Sequence, residues 1–562
     1  MYGIIVISLV LVLLTWVILY PIVVYFLDVK GLRRYPTISF LAGVTNIPYM
    51  ILSAGGSRSK RLAELHKRHP VLRIGPNALS FGDGRAIKDI YGHSTKCIKD
   101  DMYRLLAGSH SHLADVVDKK EHQRKRKILS SAYALKNLEG WEYKIVDKVS
   151  KLCGRFDRCC PVTGEGGGDG DIIDWRAWTN FFTMDAIADI GLNSSLGFLE
   201  QGDDMTISES LDGVTRLVSY RDCLHSQITA QSQLVWTYGW YKSLVRWSRR
   251  LPTRYRELFS RGDGYDGIVI HQVRKRLQQY QEGKRLEDFF QALMESKDGS
   301  PNYLPFGEIG AEISIMQRRR LKDLCLVLVN AGSISTAVAI NNAMYMLLKH
   351  PGVLARLREE VDIVADDDEV SIPYDKVKNL PYLRACLDES MRILPPTPFN
   401  LPRKTPPEGC EILSQWVPGN TTVSMSSYVA HRDEKVFSDP EVFRPERWLG
   451  ERGKELQPYF ITFSAGARGC IGRNISYLEQ TILIASTIHR YDLELVDPSM
   501  EQTSYEHLNM NPGPLPVKGD IKPVIVAELD IFDVIEEQEA SLVPPVTMQT
   551  SNVLVKERRY FI

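Results

Sequence analysis

The sequence predicts a mainly α-helical fold with a minor β-sheet region, arranged as one large domain behind an apolar N-terminal segment. Three observations carry this expectation. Apolar residues recur with helical period over 121–138, 175–190, 268–282, 321–348 and 353–364. Only two short stretches, 71–81 and 421–427, read as strands. No internal repeat divides the chain, and its one low-complexity insert is a glycine-rich stretch at 163–171. That insert reads as a surface loop, because its glycines fit neither the dinucleotide nor the P-loop spacing and its acids repel phosphate.

Composition narrows the function classes. With 562 residues, 44% hydrophobic and 25% charged, the chain can bury a large core without disulfides or a partner subunit. Lys plus Arg equals Asp plus Glu at 69 each, which leaves no electrostatic footprint for nucleic acid. The 9 cysteines are odd in number and lack framework spacing, so they read as reduced, cytosol-facing thiols.

Residues 4–27 are almost wholly apolar, and about 20 such residues cross a bilayer. No basic stretch precedes the run and no small-residue cleavage site follows it, which argues against a signal peptide. Lys30, Arg33 and Arg34 follow directly and keep that end cytoplasmic. The expected organisation is a single-pass anchor over 1–30, a cytosolic domain over 31–526, and a disordered extension over 527–562.

Three segments carry chemistry. Within the apolar run stands Asn330-Ala331-Gly332-Ser333-Ile334-Ser335-Thr336. A helical glycine costs about 1 kcal/mol relative to alanine, so something comes close to this backbone. The hydroxyls can bond back to the preceding turn and open the helix for a small ligand, and a packing seam of small residues is the alternative. Glu389 and Arg392 stand one helical turn apart, and Phe443-Arg444-Pro445-Glu446-Arg447-Trp448 brings another arginine on an irregular coil. A carboxylate shared by two guanidiniums would lock that coil. In Phe463-Ser464-Ala465-Gly466-Ala467-Arg468-Gly469-Cys470-Ile471-Gly472 three glycines bracket a lone cysteine, and helical period resumes at Arg473. A thiol on a tight turn at a helix N-terminus is favoured as thiolate, the ligand a haem iron needs for O–O cleavage.

With these residues in view the chain resembles the cytochrome P-450 superfamily, above all microsomal members of filamentous fungi, from about Pro36 to Val524. Phe463, Gly466, Arg468, Cys470 and Gly472 match its haem-binding loop, and Glu389 with Arg392 matches its helix-K pair. The resemblance implies a cytochrome P-450 fold with haem ligated by Cys470. It implies that Arg447 completes a structural triad, and that Arg126, Arg403 and Arg468 meet the haem propionates. Asn330, Ile334, Pro398, Phe399 and Leu401 would line the substrate pocket. The implied activity is oxidation of an apolar organic substrate, such as a terpenoid, polyketide or alkaloid intermediate, with O2. Electrons would come from NADPH-cytochrome P-450 reductase docking near Lys125 and Lys127, at the endoplasmic reticulum membrane.

One position departs from the family. Ile334 stands where the family carries an acid on this helix, so proton delivery falls to Ser335, Thr336 and water. This leaves room for a haem-thiolate isomerase or dehydratase without net oxygen insertion. A membrane-tethered haem protein without turnover is the more distant alternative.

Overall fold

The computed structural model describes residues 2–106, 111–161, 171–210, 212–295 and 328–522. The glycine-rich insert up to Gly170, the first turns of the 321–348 run and the extension 527–562 lie outside the described residues. Eight of the helices frame the core and the site: α1 (Tyr2–Leu27), α2 (Lys119–Ala132), α3 (Trp175–Leu192), α4 (Tyr220–Leu234), α5 (Arg254–Gln281), α6 (Leu328–Lys349), α7 (Pro381–Ile393) and α8 (Arg473–Arg490). Helix dominates and the sheets are small, as the periodicity predicts.

The start and stop signals are local. The Asp174 carboxylate accepts from the Arg176 N–H to cap α3, which ends where Asn193 turns left-handed at φ 47°. Pro381 opens α7 at a position where its missing N–H costs nothing. The main core wraps α3, α6, α7 and α8, and α6 lies along α3. Helix α6 is continuous from Leu328, so the hydroxyls do not open it. Gly332 serves the packing seam instead: a Cβ there would sit 2.9 Å from Ile187 Cδ1 of α3.

Two boundaries differ from expectation. The 121–138 segment is two helices, since Ala134 turns extended between α2 and Leu135–Gly140. Helix α5 begins at Arg254, well before 268. Gly264 and Gly267 sit inside it because side chains there would strike Cys223 Sγ at 2.6 Å and Ser208 Oγ at 2.2 Å.

A five-stranded sheet holds one flank. Strands β1 (Val71–Gly75), β2 (Ala78–Phe81), β3 (Ile98–Lys99), β4 (Arg403–Lys404) and β5 (Thr422–Ser424) lie in the order β1-β2-β5-β4-β3. Register places Arg403 between Val423 and Lys99, both antiparallel partners.

For α1, side chains are described from Thr15 onward. Among the described residues, no helix is both long and apolar enough to cross a membrane.

Candidate active site

The cysteine loop is built against α8, whose first turn Gly472 caps. The Cys470 N–H donates to Phe463 O at 2.8 Å, and the Gly469 N–H donates to Gly466 O at 3.0 Å. Gly466 has φ +62°, and a Cβ on it would lie 2.2 Å from Tyr91 O, so both conformation and space demand glycine. Phe463 packs at 5.1 Å, centroid to centroid, from Tyr477 of α8. From α2, Arg126 donates to Gly469 O at 2.7 Å and ties the loop to that helix. Cys470 is the only exposed cysteine among those described, the others being buried or half-buried.

The thiol is not acidified by its own setting. Surrounding protein pushes it above the ordinary thiol range, and this outweighs the Gly472 N–H and the charges of Arg126 and Arg473, which pull the other way. The Gly472 N–H and the two arginines are thus placed to stabilise a thiolate without producing one on their own. A metal ion that displaces the proton would produce it.

Beside the loop stands a group of cations that Asp115 and Asp118 reach only at a distance. Arg468 donates to Val117 O at 3.0 Å and Asp118 O at 3.3 Å, and Arg403 donates to Leu401 O and Pro402 O, each at 3.2 Å. Lys99 bonds Ala114 O. None of Arg126, Arg403, Arg468 or Lys99 pairs with a carboxylate among the described residues. Burial lowers Arg468 to about 10, with repulsion from Arg403 adding to it. Burial, then Arg468 and Lys99, lowers His122 to about 3, and Lys99 is driven far below its ordinary value by burial and by both arginines. Buried and half-buried cations that repel one another are stabilised by an anion. An accessible thiol beside such a group fits a metal cofactor with carboxylate arms, as haem is. Lys99 was not singled out from sequence, because a lysine in a two-residue strand carries no signal until register sets it against Arg403.

Helix α6 meets α8 close to the loop. The Thr336 hydroxyl donates to Ser476 Oγ at 3.1 Å, six residues beyond Cys470, so it is committed to packing the helices. Ser335 is half-buried, while Ile334 is buried in the main core. The Asn330 side chain lies outside the described residues.

Glu389, Arg392 and Arg447 come together. Arg392 grips Glu389 with Nε and Nη2 at 2.8 and 2.9 Å, and Arg447 Nε donates to the same carboxylate at 2.8 Å. Trp448 Nε1 adds a bond at 2.9 Å, a partner sequence reasoning missed although the tryptophan bounds the segment. Both arginines extend to carbonyls of the 438–442 coil, including Pro440 O at 2.7 Å and Ser438 O at 2.9 Å. The pair is wholly buried rather than the exposed bridge that such spacing usually means.

Pro398 is buried and its carbonyl accepts from Ser59 at 3.0 Å and Ser426 at 2.6 Å. Phe399 stacks at a tilt 5.4 Å from Trp236 beneath the Arg58 guanidinium. Leu401 is half-buried at φ +48°, a conformation a leucine rarely adopts. Lys127 is exposed, but Lys125 is buried, which removes it from any docking face.

The comparisons agree with this geometry. The family model described as Cytochrome P450 matches residues 50–518. Cytochrome P450 monooxygenase cicH of Emericella nidulans is 28% identical over 86% of this chain and 93% of its own length. The averantin hydroxylase of Dothistroma septosporum is 28% identical over 85% and 83%, and the benzoate 4-monooxygenase bphA of Aspergillus niger is 27% identical over 81% and 86%. The chain thus belongs to the cytochrome P450 family, whose members hold haem through a cysteine thiolate and incorporate oxygen into their substrates.

Proposed function

We propose that this chain is a membrane-anchored monooxygenase of secondary metabolism that oxidises an apolar organic substrate with O2 and electrons from an NADPH-dependent cytochrome P450 reductase. The observation that carries the reading is the accessible Cys470 thiol beside buried and half-buried cations, none of them ion-paired with a carboxylate among the described residues. Haem supplies the oxygen-activating chemistry when bound. Cys470 ligates its iron, Arg126, Arg403 and Arg468 hold its carboxylate arms, and Glu389, Arg392 and Arg447 fix the coil that leads to the loop. Pro398, Phe399 and Leu401 face the substrate. Relatives named for averantin and benzoate support an organic substrate. Microsomes containing the protein and reductase, given NADPH and a metabolite extract, should yield a mass-shifted product that requires NADPH. A product formed equally without NADPH would favour an isomerase.

Ser335 manages the proton. Thr336 is engaged with Ser476, Ser333 lies against Tyr220 and Ile334 has no proton to give, which favours Ser335 with water in the role that the family gives to a hydroxyl here. Ser335→Ala is expected to lower product formed per NADPH severalfold, because a lost proton donor slows the productive branch against unproductive loss of reduced oxygen. Ile334→Asp should raise the same ratio if water reaches the carboxylate. An unchanged ratio in Ser335→Ala would show that protons take another route.

The anchor reading rests on 4–27 and on the exposure of Trp16, Leu19, Val23, Phe26 and Leu27 along α1. We place it in the endoplasmic reticulum with the catalytic domain cytosolic and 527–562 as an appendage. Full-length protein should stay with membranes through carbonate extraction, and deletion of residues before Lys30 should release it with its haem. A full-length chain that washes off would contradict the anchor.

A further inference from the structure

Two cysteines far apart in the chain meet in the interior. The Cys97 and Cys410 sulfurs lie 3.8 Å apart although the residues are 313 positions apart, and both thiols are free. Neighbouring groups fix the backbone on each side. The Cys97 N–H donates to the Thr95 hydroxyl at 3.0 Å, and that hydroxyl donates to Asp89 O at 2.6 Å. The Asp89 carboxylate accepts from the Leu413 N–H at 2.9 Å, at the turn of the hairpin formed by strands Cys410–Ile412 and Gln415–Val417. One residue, Asp89, thereby ties the segment that leads into β3 to the hairpin that carries the second cysteine.

The two thiols are not equally placed. Cys410 borders a surface cavity of about 690 Å³, together with Thr95, Lys96 and Trp416, and Cys97 is not among its walls. A molecule close to water in size has ample room there. Burial, then Cys410, pushes the Cys97 thiol up to about 12. Burial raises Cys410 as well, but the contact from Cys97 and the charge of Lys96 pull it back. Cys410 is therefore the sulfur that ionises first, and the thiolate is the reactive form. Sulfurs already in van der Waals contact need an approach of only about 2 Å to bond. Their reaction needs no encounter, because the fold has already brought them together.

We propose that Cys97 and Cys410 are an oxidative modification site that forms an internal disulfide, with hydrogen peroxide entering through the cavity beside Cys410. Peroxide first oxidises Cys410 to a sulfenic acid: an S–O bond forms, the O–O bond breaks and one water leaves. The Cys97 sulfur then attacks the oxidised sulfur. The S–S bond forms, the S–O bond breaks, and the hydroxyl departs as a second water with the Cys97 proton. In total two thiols and one peroxide give one disulfide and two waters, and two electrons pass from sulfur to oxygen. The step uses neither Cys470 nor haem, so it stands apart from the monooxygenase reading. Strand β3 follows directly on Cys97, and its Lys99 is the register partner of Arg403. The bond would therefore fasten to the hairpin a strand that holds part of the cation group.

The test treats the full-length holoprotein with increasing hydrogen peroxide, blocks the remaining thiols with N-ethylmaleimide under denaturing conditions, and maps unreduced peptides by mass spectrometry. A pair of peptides joined through Cys97 and Cys410, lighter by two hydrogens than the separate peptides together, should be the dominant cysteine cross-link. Dithiothreitol should remove it. In Cys97→Ser the sulfenic acid should persist on Cys410 and be trapped by dimedone, whereas in Cys410→Ser the Cys97 thiol should stay reduced at the same dose. The wild-type map decides even where a variant fails to fold. If Cys97 and Cys410 both still take up maleimide at doses that modify other cysteines or methionines, the contact is apolar packing and the proposal is overturned. A cross-link in which Cys97 or Cys410 pairs chiefly with a different cysteine overturns it equally.

Discussion

Replacing Glu389 with alanine is expected to cost the protein its ability to hold haem, and most of its stability with it. The carboxylate is fully buried and satisfies Arg392, Arg447, Trp448 and the Arg444 N–H together. Removing it leaves two guanidiniums in the interior with carbonyls but no counter-charge. Breaking a buried pair in this way costs about 3–5 kcal/mol, against a total stability of about 5–15 kcal/mol. The loss also frees the 438–442 coil, which Arg392 and Arg447 hold through its carbonyls. Haem per polypeptide and the thermal midpoint should both fall in Glu389→Ala. Glu389→Gln, which keeps the shape and loses the charge, should fall between. A Glu389→Ala protein with wild-type midpoint and full haem content would show that the triad does not support the site.

Much of this site was legible in the residues because its elements are short and local. The turn from Phe463 to Gly472 needs glycine where φ is positive and where the Tyr91 carbonyl crowds the backbone, and that requirement is written in the spacing itself. The turn spacing of Glu389 and Arg392 likewise placed both on one face of α7, although their complete burial could not be read from spacing. What was not legible depends on distant packing. The glycines of α5 look like punctuation and instead admit Cys223 and Ser208. Lys125 looks like part of a basic surface and is buried. Thr336 looks like a reacting hydroxyl and is spent on Ser476. The cation group gathers Lys99, Arg126, Arg403 and Arg468 from four parts of the chain, so only the sheet register and the α2 contact disclose it.

The largest change of all is expected at Cys470. Its backbone is fixed by the bond to Phe463 O, its neighbour Gly469 is tied to Arg126, and its thiol is the exposed one among the described cysteines. The other described cysteines are buried or half-buried, and burial raises Cys153 and Cys160 to about 12. The measurement is the absorption spectrum of the reduced, carbon monoxide-bound full-length protein, compared with that of Cys470→His. The wild type should show the band peculiar to thiolate ligation, and Cys470→His should lose it entirely and show the imidazole-type band if it retains haem. Persistence of the thiolate band in Cys470→His, or its absence from the wild type loaded with haem, would contradict the assignment of Cys470 as the axial ligand.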